Sequence, residues 1–165
     1  SGFGSYQESG TVIPCLFNGK EVNFTAQMFL DDEPPIACGR EIWGFPKKYG
    51  TPSLRVERDT LVGTLSYAGQ QIAMGSMTFK HKQMDKAAVE KSLQKTSCNL
   101  RLIPKPDGTG LERAQLVEYN LREIDVKEAT CGNARLALTP LVTAPAADIP
   151  VKKVIEGKHI IANLT

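Results

Sequence analysis

Apolar and polar residues alternate along most of this chain. Val22, Phe24, Ala26, Met28 and Leu30 are apolar at every second position, and a period of two marks a strand with one face toward a core. Leu61, Gly63, Leu65 and Tyr67 repeat the pattern. Ile124 and Val126 alternate with Glu123, Asp125 and Lys127, and shorter alternations fall at Leu54/Val56, Leu100/Leu102 and Leu136/Leu138. Turn residues punctuate these runs at Asn18-Gly19, Ala68-Gly69 and Pro106-Asp107-Gly108; Asn-Gly between two apolar runs signals a hairpin. A helix is expected from Asp85 to about Lys95, with Asp85 as N-cap and Ala88, Val89, Ser92 and Leu93 on one face. A shorter helical turn is expected after Pro34-Pro35, around Ile36 to Ile42. Many short strands with one or two short helices predict a mainly β, antiparallel barrel-like α+β fold.

The chain has 165 residues, 41% of them hydrophobic, which suits a single domain over residues 1–165 with a real core. Lys and Arg total 20 against 18 Asp and Glu, a net charge of +2. That balance points away from nucleic acid and from anionic membranes as partners, and no apolar run approaches the roughly 18 residues of a membrane helix. Cys15, Cys38, Cys98 and Cys131 are scattered with no C-x-x-C pair, as expected of free thiols in a cytoplasmic protein. His81 and His159 are too few and too separated for a metal cluster. Asp31-Asp32-Glu33 reads as a turn before Pro34 rather than as a calcium loop.

Candidate chemistry concentrates in residues 39–50, which hold the only Trp, two more aromatics and a lysine pair. Pro46 biases Phe45 toward extended backbone. An extended run from Phe45 to Tyr49 puts Phe45, Lys47 and Tyr49 on one face and Lys48 on the other. Aromatic neighbours desolvate an amine and favour its neutral form, as does a second cation nearby. A neutral amine attacks carbonyls to form a Schiff base. On these residues alone, a solvated lysine pair whose stems cover apolar surface competes with that reading. Arg40 and Glu41 are expected to form an ion pair bracing the lysine segment. Ser1, as a terminal amine or a precursor of a pyruvoyl group, is a weaker candidate.

Gly39-Arg40-Glu41 followed by Phe45-Pro46-Lys47-Lys48 resembles the active-site segment of the acetoacetate decarboxylase family. Tyr6-Gln7-Glu8-Ser9-Gly10 with Ile13-Pro14 resembles the family's glutamate segment, and Leu30-Asp31-Asp32-Glu33-Pro34 the strand end before the lysine motif. Asp59 to Leu65, Lys80-His81-Lys82, Asp148-Ile149-Pro150-Val151 and His159-Ile160 continue the likeness in order. The family is itself a standard illustration of a lysine activated beside a second cation.

The resemblance implies that Lys47 forms the Schiff base, that Lys48 is the adjacent cation and that Glu8 works in the pocket as a positioning or proton-handling group. Phe45, Trp43 and Met28 are the candidate substrate-binding residues. The implied substrate is a small anionic keto acid, decarboxylated without a metal or organic cofactor, in a homo-oligomer. The family's chains run beyond both ends of this one, and their N-terminal part supplies an arginine and another glutamate to the pocket. Trp43-Gly44-Phe45 replaces the Ser-Ala-Tyr of well-known decarboxylases of the family, which alters the wall beside Lys47. An aldolase or dehydratase using the same lysine, and a non-catalytic ligand-binding barrel, stand as alternatives.

Overall fold

The computed structural model describes residues 2–164; Ser1 lies outside the described residues. The elements in chain order are β1 (Glu8–Phe17), β2 (Lys20–Leu30), α1 (Glu33–Trp43), β3 (Lys47–Tyr49), β4 (Thr51–Glu57), β5 (Thr60–Tyr67) and β6 (Gln70–Thr78). They continue with β7 (Lys82–Gln83), α2 (Lys86–Leu93), β8 (Ser97–Pro104), β9 (Leu111–Tyr119), β10 (Asp125–Gly132), β11 (Ala134–Leu138), a 3-10 turn at Pro145–Ala147 and β12 (Gly157–Asn163). The expected mainly β fold with one or two short helices is what forms, and it has two. The chain divides into two units: one runs to Thr51 and resumes over Thr96–Asn120, the other is Pro52–Lys95 with the chain from Leu121 onward.

The first unit is a five-stranded sheet built on β2. The β1–β2 hairpin turns at Asn18 (φ 50°) and Gly19 (φ 78°), the two left-handed residues that a tight two-residue hairpin requires. The other edge of β2 takes two parallel neighbours, β8 at Asn23–Phe24 and β3 at Met28–Leu30. The sheet then closes on the β8–β9 antiparallel pair. A parallel neighbour needs a crossover connection, and α1 is the crossover between β2 and β3.

A bulge interrupts β2. Thr11 pairs with Gln27 and Val12 with Thr25, leaving Ala26 without a cross-strand partner. One extra residue reverses the in–out phase of everything beyond it. Val22 and Phe24 therefore face one side of the sheet, and Met28 and Leu30 the other. The single apolar face expected from Val22 to Leu30 is corrected accordingly. Registered partners share a face, so Gly10, Met28 and Lys47 form one row across β1, β2 and β3, with Glu8, Leu30 and Tyr49 in the next.

Helix α1 is longer than the turn expected around Ile36 to Ile42. Pro34 and Pro35 sit in its first turn, where a missing N–H costs nothing. It stops at Gly44, whose φ of 72° is left-handed, with the Gly44 N–H donating to the Arg40 carbonyl at 3.2 Å and the Phe45 N–H to the Gly39 carbonyl at 3.1 Å. A Cβ on Gly44 would also lie 2.7 Å from Arg101 Cα and 2.8 Å from Arg101 N. Gly44→Ala thus meets both backbone strain and a backbone clash, together about 3 kcal/mol. A thermal melt is expected to show Tm lowered by roughly 10 °C.

The second unit holds two sheets, β4-β5-β6-β11 and β7-β10-β12. Ala68 (φ 50°) and Gly69 (φ 73°) turn the β5–β6 hairpin, and Leu61, Leu65, Ile72 and Met77 are buried. Asp85 caps α2, accepting from the Ala87 N–H at 3.1 Å. The helix buries Val89 against Val126 and Ala129, with Leu93 and Ile160 around them. It ends at Leu93, two residues before the expected Lys95. Alternation did not guarantee burial: Leu54 and Val56 in this unit, and Leu100 and Leu102 in the first, are exposed.

Candidate active site

Lys47 opens β3 and is 7% exposed. Its Nζ lies 3.2 Å from Glu8 Oε2, 5.1 Å from the centroid of the Phe45 ring and 5.8 Å from that of Tyr6. A buried cation needs a countercharge, and ring faces within about 6 Å add a favourable quadrupole. β1 and β3 flank β2, so about 9–10 Å separates their backbones. The Lys47 and Glu8 arms cross that distance and meet over the face carrying Met28 and Leu30. Met28 shares the row of Gly10 and Lys47, and its Cε lies 3.6 Å from where a Gly10 side chain would begin.

Both ends of this pair are held by backbone contacts. The Asp31 carboxylate accepts from the Gln7 N–H at 2.8 Å and so fixes the residue before Glu8. Arg40 Nη1 donates to the Lys47 carbonyl at 2.9 Å, and the Lys47 N–H donates to the Phe45 carbonyl at 2.8 Å. Arg40 braces the lysine segment as expected, but through a backbone carbonyl rather than through Glu41. Adjacent residues on a helix do not face each other. Asp31→Ala removes the Gln7 hydrogen bond. It should cost about 1 kcal/mol, read from a urea melt.

The remaining candidates separate. Phe45 touches the Lys47 amine. Trp43, at the end of α1, stands edge-on to Tyr119 at 6.4 Å, and Tyr119 stacks tilted on Phe45 at 5.2 Å. Trp43 is therefore linked to Phe45 through the Tyr119 ring. Its carbonyl accepts from Asn99 Nδ2 at 3.1 Å, which ties the α1 end to β8. Lys48 is exposed, on the opposite face of β3 from Lys47. His81 is exposed, and His159 lies in the second unit with its Nδ1 4.0 Å from Glu128.

Tyr6, Tyr119, Asp31 and Asn99 enter the site without having been singled out for it. Tyr6 and Asp31 carried a signal, since both lie inside segments already marked. Tyr119 and Asn99 carried none, because β8 and β9 join from far along the chain. Burial, and then the Glu8 and Asp32 carboxylates, push the Tyr6 phenol above its ordinary value, so it stays a neutral ring beside the amine. The four cysteines are free thiols. Among the described residues, no group of three His, Cys, Asp or Glu side chains is placed to hold a metal, and no helix is long and apolar enough to cross a membrane.

A family model described as acetoacetate decarboxylase (ADC) matches residues 1–165. The acetoacetate decarboxylase of Paraburkholderia xenovorans is 50% identical over the whole chain, which covers 65% of that protein. Acetoacetate decarboxylase 2 of Mesorhizobium japonicum is 48% identical over the whole chain, covering 63% of its length. The chain thus spans a little under two-thirds of these relatives. The crystal structure of acetoacetate decarboxylase from Legionella pneumophila matches with a TM-score of 0.95 at 43% identity, over 98% of this chain and 64% of that one. The enduracididine biosynthesis enzyme MppR, complexed with pyruvate, matches with a TM-score of 0.75 at 15% identity, over 96% of this chain and 62% of that one, a likeness of fold alone.

Proposed function

This chain belongs to the acetoacetate decarboxylase family, and we propose that it decarboxylates a β-keto acid, acetoacetate to acetone and carbon dioxide, through a Schiff base on Lys47. The observation that carries this reading is a lysine amine buried to 7% exposure with one carboxylate 3.2 Å away and two aromatic rings over it. A surface lysine has no such surroundings.

In the proposed sequence, Glu8 takes a proton from the Lys47 ammonium, and the freed amine adds to the ketone carbon. Loss of water gives a protonated imine. The bond to the carboxylate carbon then breaks and its electron pair moves into the imine, leaving an enamine and carbon dioxide. The Glu8 proton having left with that water, a solvent proton relayed through Glu8 adds to the enamine carbon, and hydrolysis then releases the ketone and restores Lys47. The half-buried Phe45 ring covers the amine from the α1 side, and Met28 sets the room left for the substrate's alkyl end. Lys48 contributes a positive charge on the opposite face of the strand. No cofactor is required, because the imine is the electron sink.

The family match runs through both units, which supports treating residues 1–165 as one domain of this family. The proposal also makes copies of the chain its partners in a cytoplasmic homo-oligomer. Exposed Val12 and Leu16 on β1 and exposed Ile42 on α1 support association.

Borohydride added to the purified protein with acetoacetate at neutral pH, followed by peptide mass spectrometry and a parallel carbon dioxide assay, tests the reading. A reduced adduct on Lys47 with carbon dioxide release is the expected result. An adduct without carbon dioxide would move the assignment to an aldolase or dehydratase, and no adduct would overturn it.

A further inference from the structure

We propose that Gly39 is the positioning residue for Lys47: its missing side chain is the space through which the lysine arm reaches Glu8. The inference rests on the Schiff-base reading and adds the residue that aims the nucleophile. Gly39 is buried in the middle of α1, where glycine is a poorer helix former than alanine. A helical backbone does not call for glycine, so close approach is the reason left. A Cβ at Gly39 would lie 2.8 Å from Lys47 Cδ, 2.9 Å from Cε and 3.2 Å from Nζ. All three of its nearest neighbours belong to the Lys47 arm.

The arm has little freedom to retreat. Its carbonyl is held by Arg40 and its N–H by the Phe45 carbonyl, β3 is registered on β2 at Met28, and the amine is confined by Glu8 and two rings. Restoring ordinary carbon–carbon contact would shift the arm by about 1 Å. A misplacement of that size at a reacting atom costs on the order of a hundredfold in rate. Adjacent residues of α1 thus have complementary roles, Gly39 leaving room for the side chain and Arg40 fixing the backbone.

The test combines a stability cycle with trapping. Thermal melts are compared for wild type, Gly39→Ala, Lys47→Ala and the double variant. With Lys47 present, Gly39→Ala should lower Tm. In the Lys47→Ala background it should raise Tm, because only the better helix former remains. With acetoacetate, Gly39→Ala should lose about a hundredfold in kcat and in the rate of borohydride adduct formation, with a much smaller change in KM. An equal Tm effect in both backgrounds would assign Gly39 to helix packing and overturn the proposal, as would wild-type trapping by Gly39→Ala. If Gly39→Ala does not fold, the double variant decides: folding supports the proposal and failure overturns it. A wild-type protein that forms no adduct brings down the Schiff-base reading first and this inference with it; equal trapping of wild type and Gly39→Ala brings down this one alone.

Discussion

Lys47→Arg is expected to reduce acetoacetate decarboxylation by about 10⁴-fold or more and to abolish the borohydride adduct. Arginine is the informative replacement. It keeps a long cationic arm that can still pair with Glu8, so the carboxylate is not left without its countercharge. It removes nucleophilicity, because a guanidinium stays protonated in proteins. A circular dichroism melt close to that of the wild type would show that the loss belongs to chemistry and not to folding. Lys48→Ala supplies the contrast. Lys48 is exposed and on the other face of β3, where solvent weakens its field, so turnover should fall by less than about tenfold with the adduct still on Lys47. Reduced adducts appearing on Lys48 in the Lys47→Arg protein, at the wild-type rate, would reverse the assignment.

The two lysines are distinguishable from the local sequence alone, because an extended Phe45–Tyr49 segment puts Lys47 with the aromatics and Lys48 opposite. What was not legible was how the lysine meets its carboxylate. Glu8 and Lys47 are brought together only because β1 and β3 take opposite edges of β2. No local pattern specifies strand order. The bulge at Ala26 is of the same kind: alternation from Val22 to Leu30 is unbroken in sequence, and only pairing with β1 reveals the skipped residue. That skip turns Met28 toward the amine. α1 outruns its expected bounds for a local reason, since two successive prolines look like a break until they occupy the first helical turn. The aromatic relay from Trp43 through Tyr119 to Phe45 depends on β9, far along the chain, and nothing near Tyr119 marks it. The exposed apolar pair Leu100 and Leu102 shows the converse: the pattern names a face, and what covers that face is decided elsewhere.

Glu8→Gln is expected to lower kcat by about 10²- to 10³-fold while the Lys47 adduct still forms, only more slowly. Glutamine keeps the size of the side chain and an acceptor oxygen near Nζ, but it cannot take a proton from the amine or deliver one to the enamine carbon. The charge argument gives the direction for binding. A β-keto acid brings a carboxylate into a site that already holds one. At an effective dielectric near 20, two such charges about 4 Å apart repel by about 4 kcal/mol, a figure reduced here because the Glu8 side chain is 32% exposed. Removing the Glu8 charge lifts that repulsion and leaves the Lys47 ammonium to attract the substrate, so KM should fall as kcat falls. The same repulsion favours loss of the carboxylate once the imine has formed, so the variant trades tighter binding for slower chemistry. Glu8→Asp separates the two effects: it retains the charge but draws the carboxylate back by about one carbon–carbon bond, and should leave KM near the wild-type value with an intermediate kcat. Steady-state kinetics on the three proteins read both parameters. A Glu8→Gln enzyme that keeps kcat within about twofold of wild type would reduce Glu8 to a counter-ion for a buried amine and leave the proton transfers to water.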